Sequence, residues 1–156
     1  MKTFRQYLYE EDNEKLAAGA LFFAKDTGRL GVALRSAKCD TPHTWGPVGG
    51  SAQDKEGPVE AVIREVREEA GVRIQKGQLE PLDVFRKKGF QYHTFICFVD
   101  RESDIENEMN LNDENDDFVW FSVSNPPKPL HPGFQETFEK DSTQSKLRKY
   151  LESIEK

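Results

Sequence analysis

Apolar residues recur every three or four positions between Pro58 and Ala70, which is the spacing of an amphipathic helix. The positions that fall on one narrow stripe of this helix are Val59, Val62, Ile63, Val66 and Ala70. Pro58 is tolerated in a first helical turn, and Gly71 favours the left-handed cap that ends a helix. The pattern therefore predicts a helix over 58–70 with one face in a core.

Short apolar runs on both sides of this helix predict β-strands. The runs 16–25 and 30–35 predict a first β-hairpin, and the runs 79–86 and 90–99 predict a second one, joined by a turn at Lys87-Lys88-Gly89. Both faces of the 90–99 run are largely apolar, which is typical of a central strand covered on both sides.

The rest of the chain predicts connections, one more strand and a final helix. The expected elements are a loop with at most a short strand over 36–50, an acidic loop over 100–117, a strand over 118–123 and a helix over 134–155. Strands around a central helix, followed by a last helix, predict an α/β (α+β) sandwich with a mixed β-sheet between helices. We expect one domain over 17–156, preceded by an N-terminal extension or edge element over 1–16.

Composition narrows the possible partners. The 156 residues carry a formal net charge of −6 and a sequence pI of about 5.2, which argues against a double-stranded nucleic acid or an anionic membrane surface as a partner. The two cysteines, Cys39 and Cys97, form no disulfide framework, and no signal peptide or membrane span is predicted. We therefore expect a cytoplasmic protein that acts on a small anionic substrate, with a homodimer as one option.

Glu65, Glu68 and Glu69 fall within roughly a 100° arc of the predicted helix, on the solvent side away from the apolar stripe. Carboxylates at this spacing repel one another, whereas a hard cation such as Mg²⁺ or Mn²⁺ between them would turn repulsion into attraction. Arg64 lies one turn from Glu68, and a pair between Arg64 and Glu56 would tie the preceding loop to the helix. The alternative is an ordinary solvated glutamate-rich face.

The spacing of these residues favours the cation site. Gly50 to Val72 follows G-x5-E-x7-R-E-U-x-E-E-x-G-U, where U is apolar, at every fixed place. The matching residues are Gly50, Glu56, Arg64, Glu65, Val66, Glu68, Glu69, Gly71 and Val72. At average residue usage this coincidence has a probability on the order of 10⁻¹⁰ per starting position. The pattern is the Nudix box, and the chain resembles a Nudix hydrolase.

The resemblance implies an α/β/α sandwich and a Mg²⁺- or Mn²⁺-dependent pyrophosphohydrolase with more than one ion. Such an enzyme cleaves a diphosphate bond in a nucleoside diphosphate linked to another group, or in a nucleoside triphosphate. It implies that Glu68, Glu69 and the carbonyl of Gly50 are metal ligands, and that Glu65 is a further ligand or the group that activates water. Arg64 with Glu56 would support this site.

The same resemblance implies a further acid from a loop before a tryptophan. Glu114, which precedes Trp120, is the first candidate for a catalytic metal ligand, with Asp116 and Asp117 behind it. The alternative is a solvated acidic loop. Arg35, at the end of the first hairpin, is a candidate phosphate contact, although an exposed arginine at a strand end is the ordinary alternative.

Four residues with planar rings are candidates for stacking on a substrate base. They are Trp45, Phe90, Tyr92 and His93. Each could instead pack in the core. The sequence carries no clear substrate-specific pattern after the box, so the substrate identity stays open.

Two positions depart from the usual Nudix pattern. Val48 separates Pro47 from the double glycine, and Lys55 stands where relatives typically have a glycine before the first glutamate. The loop geometry can therefore differ from that of relatives. Two other kinds of function remain as alternatives: a non-catalytic module that binds or senses a nucleotide, and a structural protein whose acidic helix is only soluble surface.

Overall fold

Seven strands form one mixed β-sheet in the computed structural model, which describes residues 14–155. The predicted extension over 1–16 lies largely outside these residues, and only its end is seen, at the start of the first strand. The strands are β1 (Lys15–Ala24), β2 (Leu30–Arg35), β3 (Trp45–Gly46), β4 (Val48–Ser51), β5 (Leu79–Lys87), β6 (Phe90–Val99) and β7 (Asn115–Phe121). The helices are α1 (Pro58–Ala70), α2 (Glu102–Glu106), α3 (Pro132–Glu139) and α4 (Asp141–Ile154), with a 3₁₀ turn at Lys76–Gln78.

Strand β1 lies at the centre of the sheet, whose order is β3-β2-β1-β6-β5. It pairs with β6 in parallel, while β2 and β4 pair with it antiparallel, and β7 pairs with β2. Ala17 to Ala24 are all buried, because this strand is covered on both faces. The predicted central position of the 90–99 strand is confirmed, since β6 lies between β1 and β5.

Helices cover both faces of the sheet, so the predicted sandwich is confirmed. Helix α1 packs on one face through a core that includes Ala20, Phe22, Val62 and Val66. Helices α3 and α4 pack on the other face through a core of Leu21, Phe23, Ile96, Phe134, Phe138 and Leu147. Within residues 14–155, no helix is long and apolar enough to cross a membrane.

The predicted bounds of α1 are confirmed at both ends. Pro58 is in its first turn, and Gly71 ends it with φ 68° while its N–H donates to the carbonyl of Arg67. Gly71 adopts this left-handed conformation without the steric cost that a Cβ would add. Helix α1 therefore begins and ends where its own sequence dictates.

Several predicted elements differ from the structure. The segment over 36–50, expected as a loop with at most a short strand, carries β3 and most of β4. The helix expected over 134–155 is two helices separated at Lys140, whose backbone is extended (φ −61°, ψ 139°). The ammonium of Lys140 and the hydroxyl of Thr137 both donate to Asp83 on β5, and this tertiary anchor fixes the break. The loop expected over 100–117 contains α2, because Arg29 and Thr27 hold Glu102. The strand expected from Phe118 begins earlier, at Asn115.

Candidate functional site

Arg64 is the centre of the charge network on α1. Its guanidinium donates two hydrogen bonds of 2.9 Å to the Glu56 carboxylate and one of 2.9 Å to the carbonyl of Ser51. It also donates to Glu65 at 3.0 Å and to Glu68 at 2.9 Å. Hydrogen bonds from Arg64, and one from the N–H of Gln53, lower the pKa of Glu56 to about 2. The contact between Glu56 and Arg64 joins the loop after β4 to the helix.

Glu69 lies on the inner side of α1 and is 6% exposed, so the expectation that all three box acids face solvent is wrong for this residue. The N–H of Gly49 donates to it at 3.2 Å and the side-chain amide of Asn115 at 3.4 Å, since β4 and the start of β7 both pass over this part of α1. Burial, and then contact with the Glu114 carboxyl, raise the pKa of Glu69 above its usual range.

Glu65 and Glu68 differ in their surroundings. The side chain of Glu65 is 14% exposed, and burial raises its pKa although the Arg64 guanidinium opposes the shift. The side chain of Glu68 is 50% exposed. Among the described residues, its ion-pair partner is Arg64. The box thus supplies three acids of different exposure on one helix: Glu69 is buried, Glu65 is largely buried and Glu68 is exposed.

The double glycine allows β4 to approach both β1 and α1. A Cβ on Gly49 would lie 2.0 Å from the carbonyl oxygen of Ala18, so no side chain fits there. A Cβ on Gly50 would lie 2.7 Å from a carboxylate oxygen of Glu65. The backbone of Gly50 is therefore in contact with the Glu65 carboxylate.

Glu114 is the loop acid that comes to this cluster. Its backbone carbonyl accepts hydrogen bonds from the N–H of Ser36 and the thiol of Cys39, which fix the loop, and its side chain lies against Glu69. Asp117 instead lines a separate groove on the α1 face of the sheet. The sequence did not single out Asn115, whose amide donates to Glu69 from the position after Glu114.

The donor set of this cluster suits a hard divalent cation. Glu65, Glu69 and Glu114 offer carboxylate oxygens, and their mutual repulsion contributes to the raised pKa values of Glu65 and Glu69. In the orientations that the side chains adopt, no three acidic, histidine or cysteine groups of residues 14–155 converge on a common point. Arg64 accounts for part of this, because it holds the oxygens of Glu65 and Glu68 that a cation would share.

A cavity of about 680 Å³ opens beside the double glycine. It runs across the α3 face of the sheet, from β4 over β1 to the β5–β6 hairpin, and the first turn of α3 closes one side. The lining residues that carry charged, polar or aromatic side chains are Arg35, Asp40, Thr41, Ser51, Phe85, Lys87, Phe90, Tyr92, Thr94, His131, Phe134 and Thr137.

Three predicted substrate contacts outside the box line this cavity: Arg35, Phe90 and Tyr92. The Arg35 guanidinium donates to the backbone carbonyl of Asp40 at 2.9 Å and 2.5 Å. The Tyr92 ring extends across β1, because its hydroxyl occupies the space that a Cβ on Gly19 would fill, at 2.0 Å. Burial raises the pKa of Tyr92, with Glu69 adding to the shift, so this hydroxyl keeps its proton.

Trp45 and His93 lie outside the cavity. Trp45 packs against the core under α3 and α4. His93 follows Tyr92 along β6 and so faces the other side of the sheet, where its ring nitrogen lies 2.6 Å from the Gln91 side chain. Of the four predicted ring contacts, the structure brings Phe90 and Tyr92 to the cavity. Phe85 and Lys87 also line it, and the sequence analysis named neither of them. His131, a loop residue that could contact phosphate, lines it as well.

Known proteins resemble this chain in sequence and in fold. The family model described as the NUDIX domain matches residues 13–140. Diphosphoinositol polyphosphate phosphohydrolase 2 of Mus musculus is 27% identical over 125 residues, which cover 78% of this chain and 66% of that protein. The chain thus spans slightly less than two thirds of the length of that curated relative.

Solved structures share the fold. A MutT Nudix hydrolase from Burkholderia pseudomallei superposes with a TM-score of 0.65 at 22% identity, over 81% of this chain and 97% of that one. A Nudix hydrolase from M. smegmatis gives a TM-score of 0.65 at 23% identity, over 90% of this chain and 88% of that one. With the complete box running from β4 through α1 and the family match over most of the sequence, the chain belongs to the Nudix family.

Proposed function

We propose that this protein is a Mg²⁺-dependent pyrophosphohydrolase that cleaves a diphosphate linkage in a nucleoside diphosphate derivative or a nucleoside triphosphate. The observation that carries the proposal is the buried carboxylate of Glu69, held beside Glu65 and Glu114 and bonded to the N–H of Gly49. Gly49 and Gly50 in turn line a cavity large enough for a nucleotide. A buried cluster of like charges costs folding free energy, and a bound cation would offset that cost.

Glu65, Glu69, Glu114, the carbonyl of Gly50 and, after release from Arg64, Glu68 would hold the metal. When bound, Mg²⁺ neutralises the diphosphate and lowers the pKa of the attacking water. The overall reaction adds one water across one P–O–P bridge: the water oxygen bonds to one phosphorus while the bridging oxygen leaves with the other. The proton that water loses passes to a carboxylate of this cluster and then to solvent.

The remaining residues bind and orient. Arg64, through its bonds to Glu56 and Ser51, holds α1 against the loop after β4, so that the acids keep a fixed position. A planar guanidinium such as that of Arg35 suits two-point contact with a phosphate, which would replace its bonds to the Asp40 carbonyl. Tyr92 offers a hydrogen-bond donor from its hydroxyl, where a stacking contact from its ring was expected.

Candidate substrates share the diphosphate and differ in the group attached to it. A curated relative is named for diphosphoinositol polyphosphates, and one solved structure of the same fold is an Ap4A hydrolase from C. elegans. We infer that the protein acts on such a small molecule in the cytoplasm, where the free thiols of Cys39 and Cys97 stay reduced. Light scattering of the purified chain tests whether it forms a homodimer.

The deciding experiment is a panel assay with product analysis. ADP-ribose, diadenosine tetraphosphate, NADH, nucleotide sugars, nucleoside triphosphates and a diphosphoinositol polyphosphate are incubated with the full chain, with and without Mg²⁺ or Mn²⁺. We expect metal-dependent cleavage of at least one diphosphate bond, and a higher melting temperature with the metal. Metal-dependent nucleotide binding without any product would favour the sensing module instead. If the metal causes neither cleavage nor a thermal shift, the metal site is refuted.

A further inference from the structure

Phe85 and Phe90 differ from the other phenylalanines that the structure describes. All the others pack in or against one of the two cores, whereas these two belong to neither. Both are half-buried and line the cavity beside Tyr92. An apolar ring that faces an open cavity gains free energy when a ligand covers it, so such rings mark binding surfaces.

The register of the β5–β6 hairpin makes these side chains one continuous surface. Phe85 is paired with Tyr92, and Lys87 with Phe90, so all four project from the same face of the sheet. We name Phe85, Phe90 and Tyr92 the aromatic wall. Its side chains project from one face of two neighbouring strands, where a flat ligand ring can cover them.

The aromatic wall lies at a useful distance from the acids. Strand β4 carries the double glycine, and two or three strand spacings separate it from β6 and β5. At about 4.8 Å per spacing, β6 and β5 lie roughly 10 to 14 Å from β4 across the sheet. A sugar between a diphosphate and a planar ring spans much of that distance.

We propose that Phe85 and Phe90 are the specificity-determining residues of this cavity: they stack on a planar ring in the substrate, so that this chain discriminates against diphosphoinositol polyphosphates. The inference rests on the proposed function and names the substrate class of that same site. It departs from the substrate for which the curated relative is named.

The charges around the cavity support this choice. Among the described lining residues, the permanent cations are Arg35 and Lys87, and Asp40 opposes them. Burial, and then the charge of Arg35, lower the pKa of His131, so this ring is neutral at neutral pH. A diphosphoinositol polyphosphate carries on the order of ten negative charges, which is more than the cations of this lining can balance. Lys15 and Lys88 are exposed beyond the lining, where water and salt screen them.

The test compares substrates with and without a planar ring. The full chain is assayed with ADP-ribose, diadenosine tetraphosphate, diphosphoinositol pentakisphosphate and phosphoribosyl diphosphate, which has a sugar and a diphosphate but no base. We expect the highest kcat/KM with one of the two nucleotides. Phe85→Leu and Phe90→Leu keep an apolar side chain but remove the ring, and each should raise KM for the nucleotides about tenfold. Their kcat and their activity on phosphoribosyl diphosphate should stay unchanged.

Phe98→Leu is the matched control. Phe98 lies on the same face of β6 but packs against Phe23 and Tyr150 under α4, outside the cavity. Its replacement should lower the melting temperature and leave KM for every substrate unchanged. If KM instead rises in all three variants in proportion to the fall in melting temperature, the effect is one of stability, and stacking on Phe85 and Phe90 is contradicted.

The outcomes separate this inference from the proposed function. Preferred cleavage of diphosphoinositol pentakisphosphate, or unchanged KM for nucleotides in both wall variants, overturns the inference while pyrophosphohydrolysis stands. If no substrate is cleaved, the proposed function fails, and calorimetric titration with ADP-ribose then tests the wall alone. Weaker binding by Phe85→Leu than by the unaltered chain would support it, and equal binding would overturn it.

Discussion

The two ends of the candidate site, an acidic end beside the double glycine and an aromatic end within the cavity, are built in different ways. The acidic end consists of Gly49, Gly50, Glu65, Glu69 and Glu114, and four of these five residues come from a stretch of chain that ends with α1. The aromatic end consists of Phe85, Phe90 and Lys87, which meet only because β5 and β6 pair in one particular register. A short motif thus fixes the chemistry of bond cleavage, whereas strand pairing sets which group can be attached to the bond.

Both ends hold side chains in surroundings that do not favour them. At the acidic end, burial and neighbouring acids raise the pKa of Glu69. At the aromatic end, two phenylalanine rings face a cavity instead of a core. A cation would offset the repulsion among the acids, and a planar ring would cover the exposed phenylalanine rings. Each end is therefore stabilised by a different part of a metal-bound substrate. Substitutions that affect one end alone can test this division.

The largest effect is expected from Glu69→Gln. Removing one charge from the acidic end should lower kcat by at least about a hundredfold, because metal stabilisation of the transition state is worth several kcal/mol. KM for a nucleotide should change by only a few-fold, since the aromatic end is intact. Steady-state kinetics with the preferred substrate measure both.

Glu60→Gln is the control for this change, because it makes the same chemical replacement in the first turn of α1, on an exposed side chain. It should leave kcat unchanged. Without metal, Glu69→Gln should also melt no lower than the unaltered chain, because the raised pKa of Glu69 already favours an uncharged side chain and the glutamine oxygen can still accept from the N–H of Gly49. Equal kcat for Glu69→Gln and the unaltered chain would show that Glu69 does not serve catalysis.

A combined loss of stability and rate is expected from Arg64→Ala. This substitution removes five hydrogen bonds from a guanidinium that is 17% exposed and leaves Glu56 and Glu65 without their cation. The free energy of unfolding should fall by about 3 kcal/mol. The rate should fall as well, because the acids lose their fixed position. Denaturant titration and the kinetic assay, run on the same preparation, measure the two effects.

Arg29→Ala separates stability from catalysis. Arg29 also binds a carboxylate, that of Glu102 on α2, but its side chain is 44% exposed and the pair lies away from the cavity. Its loss should cost about 1 kcal/mol or less and leave kcat unchanged. An Arg64→Ala variant that loses stability yet keeps full activity at low temperature would restrict Arg64 to folding.

Tyr92→Phe tests the residue that lies between the two ends. The change removes a hydroxyl placed over Gly19, next to the double glycine, and keeps the ring. If the hydroxyl donates to the diphosphate, kcat/KM should fall about tenfold, which corresponds to one hydrogen bond to a charged group. Tyr150→Phe, which removes a hydroxyl bonded to Glu80 outside the cavity, should leave kcat/KM unchanged. Similar values for both variants would assign no substrate contact to Tyr92.

The sequence predicted the acidic end better than the aromatic end for a physical reason. Helix α1 is determined by local periodicity and caps, so the relative directions of Glu65, Glu68 and Arg64 follow from the sequence alone. The burial of Glu69 did not follow, because β4 and Asn115 reach it from distant parts of the chain.

At the aromatic end, the sequence analysis named Phe90 but missed Phe85 and Lys87, because the β5–β6 turn was placed wrongly. A three-residue turn at Lys87-Lys88-Gly89 was expected, but Lys87 belongs to β5 and pairs with Phe90, which leaves Lys88 and Gly89 as the turn. A shift of one residue moves every side chain of a strand to the other face of the sheet. Phe85 could therefore be placed beside Phe90 and Tyr92 only once the register was known. The break at Lys140 depends in the same way on a tertiary partner, Asp83.

The smallest effect is expected from Lys55→Gly, at a position where this chain departs from the family pattern. Lys55 has φ 66°, in the left-handed region that costs a residue with a Cβ about 1 to 2 kcal/mol. Glycine removes this strain but gives the unfolded chain more freedom, which lowers the free energy of unfolding by about 0.5 to 1 kcal/mol. The free energy of unfolding should therefore rise by about 0.5 kcal/mol, with kcat unchanged. Asp54→Gly, at the preceding exposed residue without positive φ, should lower it instead. If both glycine variants were destabilised equally, the loop before Glu56 would carry no strain, and the glycine typical of relatives at this position would need another explanation.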